Sequence, residues 1–416
     1  MMGRDGITVP RAPESAGAQR SVSNASTGYH RPNRRTMART AFHNGRALVG
    51  RRLVEGRAVV VDGARIAAIV DEGSVPAADE RVDLQGRLLL PGFIDVQVNG
   101  GGGVLFNGEP TVDGVRTIAA AHRRYGTTGL LPTLITDDLE VIDRAIAAVD
   151  DAMAAGVPGI LGIHLEGPYL SADRKGAHLA SKLRRLDMDG VARLTRLSRG
   201  RTLVTLAPEV AAPGTIEALV RAGVLVSAGH TNATASVIAE AVGRGVTGAT
   251  HLFNAMSPLV SRAPGAVGAV LDSPDLYAGI IVDGRHVDPL VLRLALRCRP
   301  LDRFMLVTDA MPCVGSSSDA FVLQGRTIRV RDGVCVDDAG TLSGAAIDMA
   351  TAVRNAVTML GLPVAEAAQM ASEYPARFLG LDDELGEIRV GCRANLVVAT
   401  ARLDIEDVWI DGVRQR

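Results

Sequence analysis

Acidic and histidine side chains recur in this chain where an apolar run ends. Glu166 closes the run "GILGIHLEG", His230 closes "VLVSAGH", and His251 lies near the end of "VTGATHL". One carboxylate and two imidazoles form a three-ligand set that leaves a coordination position open for water, as catalytic zinc sites do. Taken singly, each histidine could be a hydrogen-bonded core residue, and Glu166 could pair with His164. Taken together, the three predict a site for one divalent metal ion.

Further polar residues follow the same pattern. Asp309 ends the run "RFMLVTD", where a carboxylate facing a metal-activated water can accept its proton and later deliver it to a leaving group. The alternative for Asp309 is a turn or helix-capping residue. Arg262 in "VSRAPG" and Arg285 and His286 in "DGRHVDP" suit a phosphate or carboxylate group, with solvated surface positions as the alternative for the arginines.

The elements that must position these residues alternate along the middle of the chain. Helical patterns such as "VIDRAIAAVDDAMAAG" lie between most of eight apolar runs, which are 93–99, 128–134, 159–167, 202–209, 224–230, 246–252, 277–283 and 303–309. Eight buried strands alternating with helices predict a (β/α)8 TIM-like barrel of the α/β class. The polar residues fall at the carboxyl ends of the strands, where the loops of such a barrel converge on one mouth.

Both ends of the chain differ from the middle. Short strand patterns with turns fill 42–90 and recur near the C-terminus, and Asp62-Gly63 is a hairpin signal. We predict a small β-sandwich domain built from 38–90 and 381–416 around a catalytic barrel at 91–380. Residues 1–37 are polar and rich in Arg, Ser and Pro, and we predict a disordered tail.

Composition excludes several classes of protein. A net charge of −1 gives no reason to expect a nucleic-acid or membrane partner, and no apolar stretch reaches the roughly 18 to 20 residues of a membrane span. The four cysteines form no C-x-x-C pair, which favours a reducing, cytoplasmic location. Lys175 and Lys182 are the only lysines, so a carbamylated lysine as a metal bridge is not expected.

Seven segments together resemble one known family. They are "PGFIDVQVNGGGGVLFN", "HLEGPYL", "KGAH", "AGHTNA", "THLFNAMSPL", "GIIVDGRHVD" and "LVTDAMP", and they occur in order over about residues 42–416. The chain resembles the N-acetylglucosamine-6-phosphate deacetylases of the amidohydrolase superfamily. The resemblance implies an enzyme that hydrolyses a linear amide, the acetamide of N-acetyl-D-glucosamine 6-phosphate, in amino-sugar catabolism or cell-wall recycling.

The resemblance also implies roles for individual residues. Glu166, His230 and His251 would hold one divalent ion, Zn²⁺ with Fe²⁺, Mn²⁺ and Co²⁺ as alternatives, and Asp309 would be the acid and base. His178 of "KGAH" would hold the substrate and stabilise the acetyl oxygen. The remaining substrate contacts would come from Ala177, Asn254, Ala255, Arg262, His286, Leu342, Ser343 and Gly344, with Arg262 and His286 on the 6-phosphate. One phosphate ligand can come from a neighbouring subunit in this family, so a homodimer is expected.

The end of the first predicted strand departs from the superfamily pattern. Many amidohydrolases have His-x-His there for a second metal, whereas this chain has Gln97-Val98-Asn99, and amides are poor zinc ligands. A single metal is therefore expected. Three alternatives stay open: a deacetylase for N-acetylgalactosamine 6-phosphate, an amidohydrolase for a cyclic amide, and a barrel that serves only in binding or assembly.

Overall fold

Seven short strands form the N-terminal part of the described chain. The computed structural model describes residues 39–331 and 333–415, and the predicted tail at 1–37 lies outside the described residues. The strands are β1 (Thr40–His43), β2 (Arg46–Val49), β3 (Arg52–Val54), β4 (Arg57–Asp62), β5 (Arg65–Asp71), β6 (Glu80–Asp83) and β7 (Leu88–Pro91). Strands β4 and β5 form the predicted hairpin, and Gly63 in its turn has a φ of 59° that favours glycine. A four-stranded sheet has the order β5-β4-β1-β6.

Eight parallel strands form the centre of the molecule. The chain continues through β8 (Phe93–Val98), the short pair β9 (Gly100–Gly101) and β10 (Val104–Leu105), then β11 (Thr127–Ile135), β12 (Gly162–Glu166), β13 (Arg201–Leu206), β14 (Leu225–Ala228), β15 (Gly248–Ala249), β16 (Tyr277–Ile280) and β17 (Phe304–Leu306). The sheet order is β8-β11-β12-β13-β14-β15-β16-β17, and Val98 pairs in parallel with Ala310 just beyond β17. The first and last strands therefore meet, and the predicted barrel is confirmed.

Helices follow most of the barrel strands. They are α1 (Val112–Arg123), α2 (Leu139–Ala154), α3 (Met188–Leu194), α4 (Thr215–Arg221), α5 (Ala235–Gly243), α6 (Gly265–Asp272), α7 (Pro289–Cys298), α8 (Met349–Thr358), α9 (Val364–Met370) and α10 (Glu373–Phe378). Helix α2 buries Ile142, Ile146 and Val149 on one face, the spacing at which helical side chains share a side. Among the described helices, none is long and apolar enough to cross a membrane.

An antiparallel sheet that the sequence analysis did not predict follows the eighth barrel strand. It contains β18 (Ala320–Leu323), β19 (Arg326–Arg331), β20 (Val334–Val336) and β21 (Leu342–Ala345). Ala345 pairs in parallel with Ala310, so this sheet attaches at the carboxyl end of the barrel. We call β18 to β21 the inserted sheet.

Both chain ends contribute to one outer sheet. Strands β22 (Leu396–Ala399), β23 (Ile405–Ile410) and β24 (Val413–Arg414) join it in the order β24-β23-β22-β7-β2-β3. Phe42 and Trp409 pack edge-to-face at 5.1 Å within a separate hydrophobic cluster. A small β domain formed by both ends of the chain is therefore confirmed, while the residue boundaries given for it remain a prediction.

Candidate active site

The backbone turns sharply where the predicted functional residues lie. His230, His251 and Asp309 have φ values of 47°, 34° and 52°. Few residues other than glycine adopt this left-handed region, and such conformations cluster at functional sites because they cost free energy. Three strands of the barrel are thus followed, two or three residues later, by a costly turn at a predicted site residue.

Glycines set the two ends of the strand that carries Glu166. A Cβ at Gly162 would overlap the backbone of Arg201, so glycine is needed where β12 begins against β13. Gly167 has a φ of 92°, and a Cβ there would overlap Thr136. Glu166 is therefore held as the last residue of β12, immediately before the turn.

Glu166, His230 and His251 converge on one point. Glu166 Oε1 lies 3.1 Å from His230 Nε2 and 3.0 Å from His251 Nε2, and the two Nε2 atoms are 3.1 Å apart. All three side chains are buried. Burial raises the pKa of Glu166, but hydrogen bonds and the charges of both histidines hold that pKa well below its usual value.

The donor set fits a metal ion. Ligands about 2.0 to 2.1 Å from one tetrahedral ion stand about 3.3 Å from one another, close to the spacing found here. His230 Nδ1 donates to the carbonyl oxygen of Arg174 at 2.9 Å, which leaves the Nε2 lone pair free to bind a metal. The two Nε2 nitrogens, 3.1 Å apart, and the Glu166 oxygen that they face are therefore placed to bind the same cation.

Asp309 lies beside this cluster and is held by two amides. Its Oδ1 accepts hydrogen bonds from Asn99 Nδ2 at 2.6 Å and Gln97 Nε2 at 3.2 Å, and the same Gln97 nitrogen lies 3.2 Å from Glu166 Oε1. Burial and the charge of Glu166 raise the pKa of Asp309 to about 6. A carboxyl group with a pKa near neutrality can both accept and return a proton.

His178 has a defined protonation pattern. His178 Nδ1 lies 2.8 Å from Thr136 Oγ1 and 3.3 Å from the backbone N–H of Thr136, and because the N–H can only donate, the tautomer that satisfies it has Nδ1 as acceptor and the proton of the neutral ring on Nε2. Burial and the neighbouring His230 lower the pKa of His178 well below its usual value, which keeps the ring neutral. The imidazole can therefore donate a hydrogen bond from Nε2.

A cavity of about 400 Å³ brings together most of the predicted residues. Its lining includes Glu166, Ala177, His178, His230, His251, Asn254, Ala255, His286, Asp309, Leu342, Ser343 and Gly344. The last three come from β21 of the inserted sheet. His286 Nδ1 donates to Asp283 Oδ2 at 2.6 Å, which orients the ring.

Arg262 is the exception. It lies in the loop before α6, exposed, and it does not line the cavity. Its predicted contact with a phosphate stays a prediction.

Sequence reasoning missed several residues of the site. Gln97 and Asn99 were predicted to lie at a strand end in place of metal ligands but were given no role, and they hold Asp309. Arg174 lines the cavity and accepts the hydrogen bond from His230 with its carbonyl oxygen. The position of Asn99 at the end of the first strand could have predicted that it lies in the site. The role of the Arg174 carbonyl oxygen could not be predicted, because every residue has a backbone carbonyl group.

His164 lies apart from the metal cluster. Its Nε2 is 2.7 Å from Thr205 Oγ1 and its Nδ1 is 3.2 Å from Thr133 Oγ1. Burial lowers the pKa of His164 to about 4, so the ring is neutral at physiological pH. His164 is a support group and not a fourth metal ligand.

Comparison with known proteins settles the family. Residues 88–414 match the model of the amidohydrolase family. The chain belongs to the amidohydrolase family. The predicted assignment to amide-hydrolysing enzymes and the barrel fold are both confirmed by this match and by the relatives described next.

Curated relatives carry two related names. A protein of Shewanella sp. (strain ANA-3) named N-acetylgalactosamine-6-phosphate deacetylase is 44% identical over 325 residues, covering 78% of this chain and 82% of the relative. A protein of Haemophilus influenzae named N-acetylglucosamine-6-phosphate deacetylase is 38% identical over 358 residues, covering 85% and 93% of the two chains.

Solved structures of similar enzymes have the same fold as this amidohydrolase. N-acetylglucosamine-6-phosphate deacetylase from Pasteurella multocida superposes with a TM-score of 0.87 at 41% identity and covers 91% of this chain and 99% of its own. A point mutant of the enzyme from Mycobacterium smegmatis, in complex with N-acetyl-D-glucosamine-6-phosphate, has a TM-score of 0.84 at 33% identity and covers 91% of this chain and 99% of its own. The resemblance stated from the sequence motifs is thereby confirmed.

Proposed function

We propose that this amidohydrolase removes the acetyl group of N-acetyl-D-glucosamine 6-phosphate, producing D-glucosamine 6-phosphate and acetate. The observation that carries the proposal is the meeting of the Glu166, His230 and His251 cluster with Asp309 and His178 in one cavity. Metal ligands, a proton acceptor and a hydrogen-bond donor are the three parts that metal-assisted hydrolysis of an amide uses. Similarity to the deacetylases named above indicates the substrate.

The three clustered residues would hold the metal ion. Zn²⁺ is proposed because two imidazoles and a carboxylate form a known catalytic zinc set, with Fe²⁺, Mn²⁺ and Co²⁺ as alternatives. When bound, such an ion supplies Lewis acidity towards water and the amide carbonyl. The amide side chains of Gln97 and Asn99 leave the position of a second metal without suitable ligands.

Asp309 and His178 would perform the proton chemistry. Asp309 accepts a proton from the attacking water and passes it to the departing amine nitrogen, so that the amine leaves in its neutral form. His178 donates from Nε2 to the oxygen of the acetyl group as negative charge develops on it. Gln97 and Asn99 keep Asp309 oriented through their hydrogen bonds to its Oδ1.

The remaining cavity residues would hold the sugar phosphate. The sugar would be contacted by further residues that line the cavity, namely Ala177, Asn254, Ala255, Leu342, Ser343 and Gly344. His286, oriented by Asp283, would bind the 6-phosphate. Binding of the phosphate at a distance from the amide contributes free energy that positions the reacting bond.

A homodimer would complete the phosphate site. Arg262 is exposed and does not line the cavity of its own chain, and the neighbouring Leu259 and Val260 are 57% and 52% exposed. We propose that this loop contacts a second copy of the chain and places Arg262 in the partner's cavity. The four cysteines are free thiols, which supports a cytoplasmic location. Sedimentation should then give a dimer, and Arg262→Ala should raise KM for the phosphorylated substrate more than it lowers kcat.

One observation favours a second substrate. The relative that is 44% identical is named N-acetylgalactosamine-6-phosphate deacetylase. The two sugars differ in the orientation of one hydroxyl group, which few pocket groups sense, so this activity is the alternative function.

A panel assay tests the proposal. Acetate release would be measured from the 6-phosphates of N-acetylglucosamine and N-acetylgalactosamine and from the unphosphorylated sugars, each with and without a chelator. We expect the highest kcat/KM with N-acetylglucosamine 6-phosphate, little activity on unphosphorylated sugars, and loss of activity with chelator. A preference for the galacto substrate would select the alternative, and equal rates on unphosphorylated sugars would refute a phosphate site.

A further inference from the structure

Two cysteines lie in contact at the junction between the barrel and the inserted sheet. Cys313 Sγ and Cys335 Sγ are 3.7 Å apart, and both residues are free thiols. Cys313 lies in the loop that leaves Asp309, and Cys335 lies in β20. Neither belongs to the proposed metal or substrate sites. A disulfide bond of about 2.05 Å would require the two sulfur atoms to approach by about 1.7 Å.

The two thiols differ in access to solvent and in acidity. Cys335 is fully buried, while Cys313 is partly exposed and lines a second cavity of about 200 Å³ with Gly103, Leu105 and Pro312. The hydrogen bond between the thiols lowers the pKa of Cys313 and raises that of Cys335, which burial raises further. Cys313 is therefore the reactive thiol, and Cys335 is the resolving one.

The pair joins two segments that both reach the active-site cavity. Met311 N donates to the Ala345 carbonyl oxygen at 3.0 Å, and Ala345 N donates to the Asp309 carbonyl oxygen at 2.9 Å. Cys335 belongs to a hydrophobic cluster with Met311 and Leu323, both of which also line the active-site cavity. Movement of either sulfur would shift the cavity wall beside Asp309.

We propose that Cys313 and Cys335 form a reversible disulfide on exposure to a hydroperoxide, and that this bond slows turnover by displacing the wall beside Asp309. The Cys313 thiolate attacks the outer oxygen of the hydroperoxide, the O–O bond breaks, and the alkoxide leaves as an alcohol after taking up a proton. The Cys335 sulfur then attacks the sulfenic sulfur of Cys313 and releases water. Two thiols lose two electrons and two protons, and the hydroperoxide is reduced to an alcohol and water.

Thiol counting and peptide mapping test the bond independently of the proposed deacetylase activity. The metal-loaded full chain would be treated with tert-butyl hydroperoxide, and its free thiols, its intact mass and its non-reduced peptides would be measured. We expect the four free thiols to fall to two, the mass to fall by about 2 Da, and the peptides of Cys313 and Cys335 to be cross-linked. Acetate release should fall about tenfold and recover with dithiothreitol, since displacements near 1 Å at a catalytic site have effects of this size or larger.

Matched variants separate this pair from the other thiols. Cys298→Ser alters an exposed cysteine and Cys392→Ser a buried one outside the pair, and both variants should respond to the hydroperoxide as the unchanged protein does. Cys313→Ser and Cys335→Ser should keep the activity of the reduced protein and lose its reversible response. Four remaining thiols, or a cross-link through Cys298, would overturn the disulfide. If the disulfide forms and turnover is unchanged, the proposed effect on activity is overturned. The peptide map of the unchanged protein shows whether Cys313 and Cys335 are linked even if a variant fails to fold.

Discussion

Two polar layers lie one above the other inside the barrel, and they differ in how their hydrogen bonds are completed. The upper layer contains Glu166, His230, His251 and Asp309. The lower layer contains His164, Thr205, Thr250 and Ser227, in which Thr250 Oγ1 lies 2.7 Å from both Thr205 Oγ1 and Ser227 Oγ. In the described chain, the lower layer has no buried polar atom without a partner, whereas His251 Nδ1 and the nearby Asn99 Oδ1 have none.

The backbone also differs between most members of the two layers, the exceptions being Glu166, which ends β12, and Thr250, which follows β15. His164, Thr205 and Ser227 lie within regular strands, while His230, His251 and Asp309 occupy the left-handed region. Buried polar groups that lack a partner, and costly backbone conformations, are retained where a ligand or a reaction uses them. The comparison assigns chemistry to the upper layer and support to the lower one, although His164 and Glu166 are only two residues apart in sequence and Thr250 and His251 are adjacent.

Glu166→Gln should produce the largest effect, because it removes the anionic ligand of the upper layer. We expect loss of most bound metal, measured by elemental analysis, and a fall in turnover of at least about 10²-fold, since metal catalysis supplies several kcal/mol. His164→Gln is the matched control two residues earlier on the same strand, and it should retain its metal. Equal metal loss in both variants would erase the distinction between the layers.

Asp95→Asn should have the second largest effect. Asp95 is fully buried and accepts hydrogen bonds from Thr308 Oγ1 at 2.5 Å and from Gln97 N at 3.1 Å, so it supports the residues beside Asp309. Loss of such support typically costs about 10- to 100-fold in activity. We expect a lower kcat in steady-state assays with unchanged metal content.

The conservative variant Thr308→Ser serves as the control for Asp95, because it keeps the hydroxyl group that Asp95 accepts from. It should retain most of the activity. An Asp95→Asn variant that lost its metal would place Asp95 with the metal ligands instead.

His164 should give the lower layer a pH dependence of stability. Burial lowers the pKa of folded His164 to about 4 from 6.5, so below pH 6.5 the unfolded chain takes up a proton that the folded chain does not. The free energy of unfolding should therefore fall as the pH is lowered from 6.5 towards 4, by up to about 3 kcal/mol from this residue. Urea unfolding of the metal-free protein at pH 7.5 and 4.5 measures it, and His164→Gln should lack this part of the change.

Ser227→Ala should have the smallest effect. Thr250 keeps its hydrogen bond to Thr205 when the Ser227 hydroxyl is removed, so no buried group is left unpaired. We expect a loss of about 1 kcal/mol in the free energy of unfolding and turnover within about twofold of the unchanged protein. A large loss of turnover without loss of stability would give the lower layer a catalytic role.

The barrel was predictable because buried parallel strands appear in the sequence as near-continuous apolar runs. All eight apolar runs became strands at their predicted places, although β15 contains only Gly248 and Ala249 of the predicted 246–252. Strand length depends on where the backbone turns, and the residue types around His251 do not predict its left-handed conformation.

The site was predictable to the extent that its residues end barrel strands. Glu166, His230, His251 and Asp309 meet because parallel strands bring their carboxyl ends together. The inserted sheet, the role of Gln97 and Asn99, and the absence of Arg262 from the cavity lining depend on how loops fold back over the barrel. Side-chain and loop contacts of this kind carry no periodic signal in one sequence.

Titration of the metal-free protein with Zn²⁺ tests the central claim most directly. Acetate release from N-acetyl-D-glucosamine 6-phosphate would be followed as the ion is added. The single cluster of Glu166, His230 and His251 found among the described residues predicts a linear rise that ends at one ion per chain. Full activity without any metal, or a plateau at two ions per chain, would contradict the account.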